Sequence, residues 1–247
     1  MHAIEQHEIA EAGHRILSPL TDDKLMLLGE LCRPRRGQHL LDLACGKGEM
    51  LCRWADRFGI GGLGVDISTV FLAAAHERAA ELGVADRVSF RHGDAPRGVA
   101  ADASYDIVSC IGATWIGDGL GGTIDLMRPA LRPDGLLLVG EPYWTEPPPG
   151  GVPAALGVAP DDYATLTGTL DRLAQSGTEL VEMVLADADS WDRYVAAQWW
   201  TVERWLRANP GHPGAAEMRR YLEASRRSHL EYQRRYLGWG VFVLRTA

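Results

Sequence analysis

The stretch His39-Leu40-Leu41-Asp42-Leu43-Ala44-Cys45-Gly46-Lys47-Gly48 decides the fold. It begins as a short apolar run, the mark of a buried strand, and ends on an acid followed by two glycines in alternate positions. A helix is expected from about Glu49 to Phe58. The same pattern then recurs toward the C-terminus. Leu63 to Val65 reads as a strand ending at Asp66, and Ser68 caps a helix running to about Leu82. Val88 to Arg91 is a third strand, followed by Gly93-Asp94-Ala95. Tyr105 to Cys110 is a fourth, followed by Gly112-Ala113-Thr114-Trp115. A helix from about Gly122 to Leu131 leads into a fifth strand, Leu136 to Gly140. Strands alternating with helices indicate a parallel sheet covered on both faces.

Upstream, the first 33 residues read as two short helices, the second started by Thr21-Asp22-Asp23-Lys24 and striped by Leu25, Leu28 and Cys32. Downstream, Asp161-Asp162 starts a helix running to about Gln175, and Leu180 to Leu185 is a sixth strand. Helices at about Ser190 to Ala208 and Ala215 to Tyr236 flank the breaker segment 209–214, and Val241 to Leu244 closes the chain as a seventh strand. The expected fold is α/β: a Rossmann-like, seven-stranded, mostly parallel sheet with helices on both faces and helical lid insertions. One domain spans 1–247, with an N-terminal helical lid at 1–36, the core at 37–186 and 238–247, and a lid insertion at 187–237.

The chain has 247 residues, 46% hydrophobic and 23% charged, enough for a full core without staples. Its 25 basic and 33 acidic side chains give a net charge of −8, which argues against a nucleic-acid partner. The four cysteines form no C-x-x-C pair and have no histidine at ligand spacing, so neither a metal site nor a disulfide framework is expected. No signal peptide and no run of about 18 apolar residues is present. A reduced, cytoplasmic protein with no membrane partner is the expectation, and the oligomeric state is not legible.

Open parallel sheets bind ligands outside the carboxyl ends of their strands. Gly46 and Gly48 let the backbone pass close to a ligand there. Asp66, 20 residues after Gly46, suits the two hydroxyls of a ribose, and Asp94 can reach an adenine amino group. These residues describe an adenosine-binding crevice. A dinucleotide fingerprint requires a third glycine where Leu51 stands, and no P-loop occurs.

Asp42 through Gly48 resembles the first motif of the class I S-adenosylmethionine-dependent methyltransferases, with Ala44 in place of the first glycine and expected at negative φ. The blocks Gly48-Glu49-Met50-Leu51-Cys52, Gly112-Ala113-Thr114-Trp115-Ile116, Gly140-Glu141-Pro142-Tyr143-Trp144 and Gly238-Trp239-Gly240-Val241-Phe242 resemble the bacterial YjhP-like subfamily, which brings no substrate with it. The resemblance implies that S-adenosyl-L-methionine is the cofactor and S-adenosyl-L-homocysteine the product. It implies that Asp42 sits near the cofactor's amino-acid end and that Ala44, Cys45, Gly46 and Gly48 line the methionine portion. Asp66 would bind the ribose and Ile67 the adenine face. Asp94 and Ala95 would touch the adenine edge, and Ile111 and Gly112 would lie under the sulfonium.

Methyl transfer is an in-line displacement, and a general base is needed only if the acceptor must lose a proton. Two candidates arise. Glu141, at the end of the fifth strand, is either a base or a loop acid paired with an arginine. His229, on the inward stripe Met218, Leu222, Ser225, His229, Tyr232, Tyr236, is either a base or a hydrogen-bonded core residue. Trp115, Tyr143 and Trp144 are candidate pocket walls, suited to a flat or cationic substrate. Trp200 lies off the core stripe of its helix and is a fourth. The expected activity is methylation of an oxygen or nitrogen of a small molecule. A non-enzymatic module that binds or senses the adenosine ligand is the alternative. A nucleic-acid or protein methyltransferase has no support, for want of an Asn/Asp-Pro-Pro-Tyr/Phe motif or a basic groove.

Overall fold

A computed structural model describes residues 1–95 and 103–247. Its centre is a seven-stranded sheet in the order β3-β2-β1-β4-β5-β7-β6. The strands are β1 (His39–Leu43), β2 (Gly61–Asp66), β3 (Val88–His92), β4 (Tyr105–Ile111), β5 (Leu131–Trp144), β6 (Thr178–Leu185) and β7 (Leu237–Thr246). The first five are parallel, and β7 runs antiparallel between β5 and β6. The order reverses between β1 and β4, which opens a crevice at their carboxyl ends.

The helices are α1 (Ala3–Ala10), α2 (Asp22–Cys32), α3 (Glu49–Phe58), α4 (Thr69–Glu81), α5 (Leu120–Met127), α6 (Val152–Leu156), α7 (Leu166–Gln175), α8 (Ala188–Ala208) and α9 (Ala215–Ser228). One apolar cluster joins α2 and α3 to one face of the sheet through Leu28, Leu51 and the fully buried Trp54. Another joins α5 and α7 to the opposite face through Ile124, Met127 and Leu173. The Thr21 and Ser68 side chains cap α2 and α4 as their sequence positions indicate.

Several boundaries differ from the sequence expectation. β5 extends from 131 to 144, well beyond 136–140: Leu131 already pairs with Tyr105 of β4 across a register shift, and the far end pairs with β7 along 137–144 against 237–244. Its pairing with β4 ends at Gly140, so Pro142 sits where only one flank of the strand is bonded. α7 starts at Leu166, capped by Thr165, and not at Asp161. Asp162 instead folds back to accept the Ala159 N–H at 2.7 Å. The last long helix reaches Tyr236 as expected, but not as one regular α-helix: α9 ends at Ser228, a π turn covers His229–Gln233, and a last α turn spans Arg234–Tyr236. The inward stripe holds, with Met218, Leu222, His229 and Tyr236 all buried.

α1 packs on α8 through Ala10 and Val202, joined by Met218 and Leu222 of α9. Residues 1–20 and α8–α9 therefore form one connected layer. Among the described residues, no helix is long and apolar enough to cross a membrane, and no cluster of His, Cys, Asp and Glu could hold a metal ion.

Candidate active site

The turn after β1 is built by left-handed backbone. Ala44, Gly46 and Gly48 have φ of 56°, 54° and 65°. Ala44 thus departs from the negative φ expected of an alanine, and its Cβ makes this conformation costly. Asp66 holds the turn. Its carboxylate accepts the Gly46 N–H at 2.7 Å and the Ser68 N–H at 2.8 Å, and it is buried. It is the last residue of β2, not a group beyond the strand. Each of its oxygens keeps a second lone pair for a hydroxyl donor.

The two glycines have different duties. A Cβ on Gly46 would stand 2.7 Å from Leu17 Cδ1, so this turn is touched from above by the N-terminal segment. A Cβ on Gly48 would stand 2.6 Å from the Phe90 ring and 2.9 Å from Ala75, so Gly48 permits α3 to pack beside α4 and β3. Asp42 lies beneath the turn, fully buried, and accepts the Ser109 hydroxyl at 2.7 Å. Burial pushes its carboxyl up to about 7; the Ser109 bond opposes this and the charge of Asp66 adds to it. Burial also drives the Cys45 thiol upward, reinforced by Asp42 and Asp66, which keeps it neutral.

On the β2–β3 side, Ile67 is 54% exposed at the crevice, an apolar surface suited to one face of a flat ring. Its carbonyl faces His92 Nε2 at 3.1 Å. Asp94 is exposed and Ala95 buried just after β3. On the other side, β4 ends at Ile111, and Gly112, at φ 81°, donates its N–H to the Gly140 carbonyl at 2.7 Å.

Glu141 is inside β5, three residues before its end, and only 2% exposed. Burial pushes its carboxyl up to about 7, opposed by a hydrogen bond from Thr114 and by the charge of Arg172. It is not a loop acid in a salt bridge. Beside it, a cleft of about 850 Å3 opens between α5 and α7, lined by Thr114, Trp115, Tyr163, Arg172 and four aspartates. Trp115 is 73% exposed at that cleft.

Four candidate residues lie elsewhere than a pocket requires. His229 is buried with both ring nitrogens engaged, Nε2 with Asp192 at 2.8 Å and Nδ1 with Gln233 at 3.3 Å. It fastens the π turn to α8 and has no free nitrogen for a proton. Trp200 is 67% exposed on α8, where no cavity encloses its ring. Trp144 is buried against Tyr163, Val152 and Tyr236, a packing role. Tyr143 is also buried, in the core cluster below the crevice and against Gly238.

The roof over the β1 turn was not legible as a site. Lys47 reaches up from between the two glycines and donates to the carbonyls of Glu11, Ala12 and His14. Ser68 donates its hydroxyl to Glu8 at 2.6 Å. Glu11 is 1% exposed and accepts the Tyr194 hydroxyl and a Gln198 N–H, each at 2.6 Å on Oε1. His14 Nδ1 stands 2.9 Å from Oε2, an ion-pair contact on the carboxylate's other oxygen. Burial works against ionisation of Glu11, yet His14 and Tyr194 hold its carboxyl below the usual range. Glu11 and Tyr194 are 183 residues apart, and the N-terminal segment carries no periodic signal.

Carboxylates at three successive strand ends and left-handed turns at backbone level are an acceptor set that fits a ligand whose ribose hydroxyls and ammonium donate. The comparisons with known proteins agree. Residues 40–135 match the model of a methyltransferase domain. The chain is 45% identical to the uncharacterized protein YjhP of Escherichia coli K12 over 96% of both chains. A S-adenosylmethionine-dependent methyltransferase from Geobacter sulfurreducens, solved with S-adenosyl-L-homocysteine, superposes with a TM-score of 0.95 at 47% identity over 98% of both chains. One from Thiobacillus denitrificans, solved with the same ligand, gives 0.94 at 44% identity over 100% of this chain and 99% of that one.

Proposed function

We propose that this chain, which belongs to the YjhP-like branch of the S-adenosylmethionine-dependent methyltransferases, methylates an oxygen or nitrogen of a small-molecule acceptor. S-adenosyl-L-methionine supplies an electrophilic methyl group and a good leaving group. The chain's own residues bind, align and exclude water. In this reading Ala44, Cys45 and Gly46 carry the methionine portion over the β1 turn, and Asp42 is the acid beneath the amino-acid end. Gly48 contributes by letting α3 pack. Asp66 takes the ribose hydroxyls with its remaining lone pairs. Ile67, Asp94 and Ala95 frame the adenine, and Ile111 with Gly112 floors the reacting end.

The observation that carries the acceptor assignment is Glu141, a buried carboxyl at about 7 beside Thr114. A base whose pKa matches the working pH takes a proton most effectively, so Glu141 receives the acceptor's proton as the methyl bond forms. Trp115 and the adjoining cleft give the acceptor an aromatic wall. The net charge of −8 and four free thiols suit a small acceptor in the cytoplasm, not a polyanion. The segments 1–36 and 187–237 act as the lid over this centre.

The experiment is incubation of the enzyme and labelled cofactor with a metabolite extract, reading products heavier by one labelled methyl. Glu141→Gln should lower the rate about 100-fold or more while leaving S-adenosyl-L-homocysteine affinity within twofold. Equal rates for the two proteins would remove Glu141 from the reaction. Ligand binding without any methylated product would favour the sensing module.

A further inference from the structure

The N-terminal segment is tied to the β1 turn by a side chain of that turn. Lys47 Nζ donates to the carbonyls of Glu11 at 2.8 Å, Ala12 at 3.3 Å and His14 at 2.5 Å. An ammonium has three N–H donors, and here all three are spent on the backbone that follows α1. Carbonyls at the end of a helix favour a cation, and this one is supplied from the β1 turn. The same ammonium stands 5.7 Å from the centre of the Phe71 ring on α4. Other contacts of the segment surround this point. Glu8 accepts the Ser68 hydroxyl at 2.6 Å, and Leu17 closes on Gly46, where a Cβ would stand 2.7 Å from it. Arg15 adds an ion pair with Glu81 at 3.4 Å, but both side chains are half exposed, and such pairs contribute little. Among these fastenings, Lys47 alone is both polar and part of the turn assigned to the cofactor.

We propose that Lys47 is a positioning residue that couples occupancy of the cofactor turn to closure of the N-terminal segment, and so sets how long S-adenosyl-L-homocysteine stays bound. This inference rests on the placement of the methionine portion over the Gly46 turn. The Lys47 backbone is flanked by glycines at φ 54° and 65°, residues with unusual freedom to leave that conformation. A ligand lying on the turn restrains this backbone, and with it the point on which the three carbonyls converge. In return, the segment that touches the turn has to lift before the ligand leaves. The coupling is reciprocal: whatever closure adds to ligand affinity, the ligand adds to closure. Methionine in place of lysine keeps an unbranched stem and removes all three donors. Arginine keeps the charge, but its planar fork does not bring three donors to one point.

The test joins hydrogen exchange to ligand-release kinetics. With S-adenosyl-L-homocysteine bound, wild-type amides of residues 9–17 should gain about tenfold protection or more, together with those of 44–48. Lys47→Met should release labelled S-adenosyl-L-homocysteine about tenfold faster or more, with its association rate within about threefold of wild type. The same variant should lose the gain over 9–17 and keep the gain over 44–48. Lys47→Arg should release the ligand at a rate between the two. Arg15→Ala, which removes the exposed ion pair, should stay within about twofold of wild type. A merely structural lysine would give slower association with unchanged release, or lost protection throughout the sheet of the ligand-free variant, and either result overturns the inference. If wild-type residues 44–48 gain protection and 9–17 do not, the inference fails whether or not Lys47→Met folds. If the ligand binds and 44–48 gain none, the cofactor placement itself is wrong, and the coupling falls with it.

Discussion

The floor of the crevice and its roof are made on different terms. The floor consists of turns within a few residues of strand ends, each held by short-range chemistry: Gly46 and Ser68 donating to Asp66, Ser109 donating to Asp42. The roof consists of contacts between distant segments: Met1 with Glu217, Glu8 with Ser68, Glu11 with Tyr194 and Lys24 with Asp187. The floor can recognise a cofactor shared by many enzymes. Whatever selects one acceptor must come from the roof and the cleft beside Glu141. Local turns can be specified by adjacent residues, whereas the roof depends on the whole chain having folded.

The sharpest way to break this division is at Gly46. Valine there would be forced to φ 54°, and its Cβ would stand 2.7 Å from Leu17. Floor and roof would be spoiled together. S-adenosyl-L-homocysteine binding should fall by more than 100-fold in calorimetry, with stability lowered by about 1–2 kcal/mol. Near-normal binding would show that the ligand does not pass over this turn.

Asp66→Ala comes next. The sequence suggests a ligand residue for the ribose hydroxyls. Its two backbone donors, buried and charge-assisted, make it part of the floor's structure as well. Urea unfolding of the ligand-free protein should register a loss of about 2–4 kcal/mol, and cofactor affinity should drop tenfold or more. Unchanged stability with weakened binding would return Asp66 to the purely ligand role.

This contrast also explains what the sequence discloses. Strand ends at Leu43, Asp66, His92 and Ile111 are legible within about two residues, because acids, glycines and caps stand beside them. The length of β5 is not, since Pro133, Gly135 and Pro142 read as breakers. Pro133 and Gly135 fall in the register shift between Leu131 and Leu136 of the β4 pairing, and Pro142 on the flank left free above Gly140. Glu11 and His14 are invisible for a similar reason: their partners lie on α8, and a polar cluster has no periodicity. His229 misleads in the opposite sense. Its inward position is legible, but Asp192, which occupies one of its nitrogens, is not.

A smaller effect separates the two acids of the floor from ordinary carboxylates. Asp42 and Glu141 are raised to about 7 by burial, from unfolded values near 3.8 and 4.5. Such groups favour the folded state fully below pH 4. That contribution, on the order of a few kcal/mol, is lost as pH rises through 7. A cationic ligand reverses the sign locally, since it binds better once Asp42 is ionised. The ligand-free protein should therefore unfold more easily at pH 8 than at pH 6. S-adenosyl-L-methionine affinity should rise about tenfold over the same interval, and S-adenosyl-L-homocysteine, without the sulfonium charge, should rise less. Asp42→Asn should flatten most of this slope. A flat profile in wild type would mean that Asp42 keeps one protonation state across the range.

The finest probe of the floor is Ala44. At φ 56° its Cβ crowds the following carbonyl, a cost of about 1–2 kcal/mol that glycine would not incur. Glycine gives back about 0.5–1 kcal/mol through the extra freedom of the unfolded chain. Ala44 also packs partly against the apolar cluster of Leu41, Leu43 and Val65, and glycine forfeits that contact. The balance predicts that Ala44→Gly raises stability by no more than about 1 kcal/mol, with S-adenosyl-L-homocysteine affinity within twofold of wild type. Denaturant unfolding and calorimetry on the same preparation would decide it. Lower stability would show that the methyl group's packing outweighs its strain. Raised stability with weakened binding would show something more specific: that the floor uses a strained alanine to hold the turn in the conformation the cofactor requires.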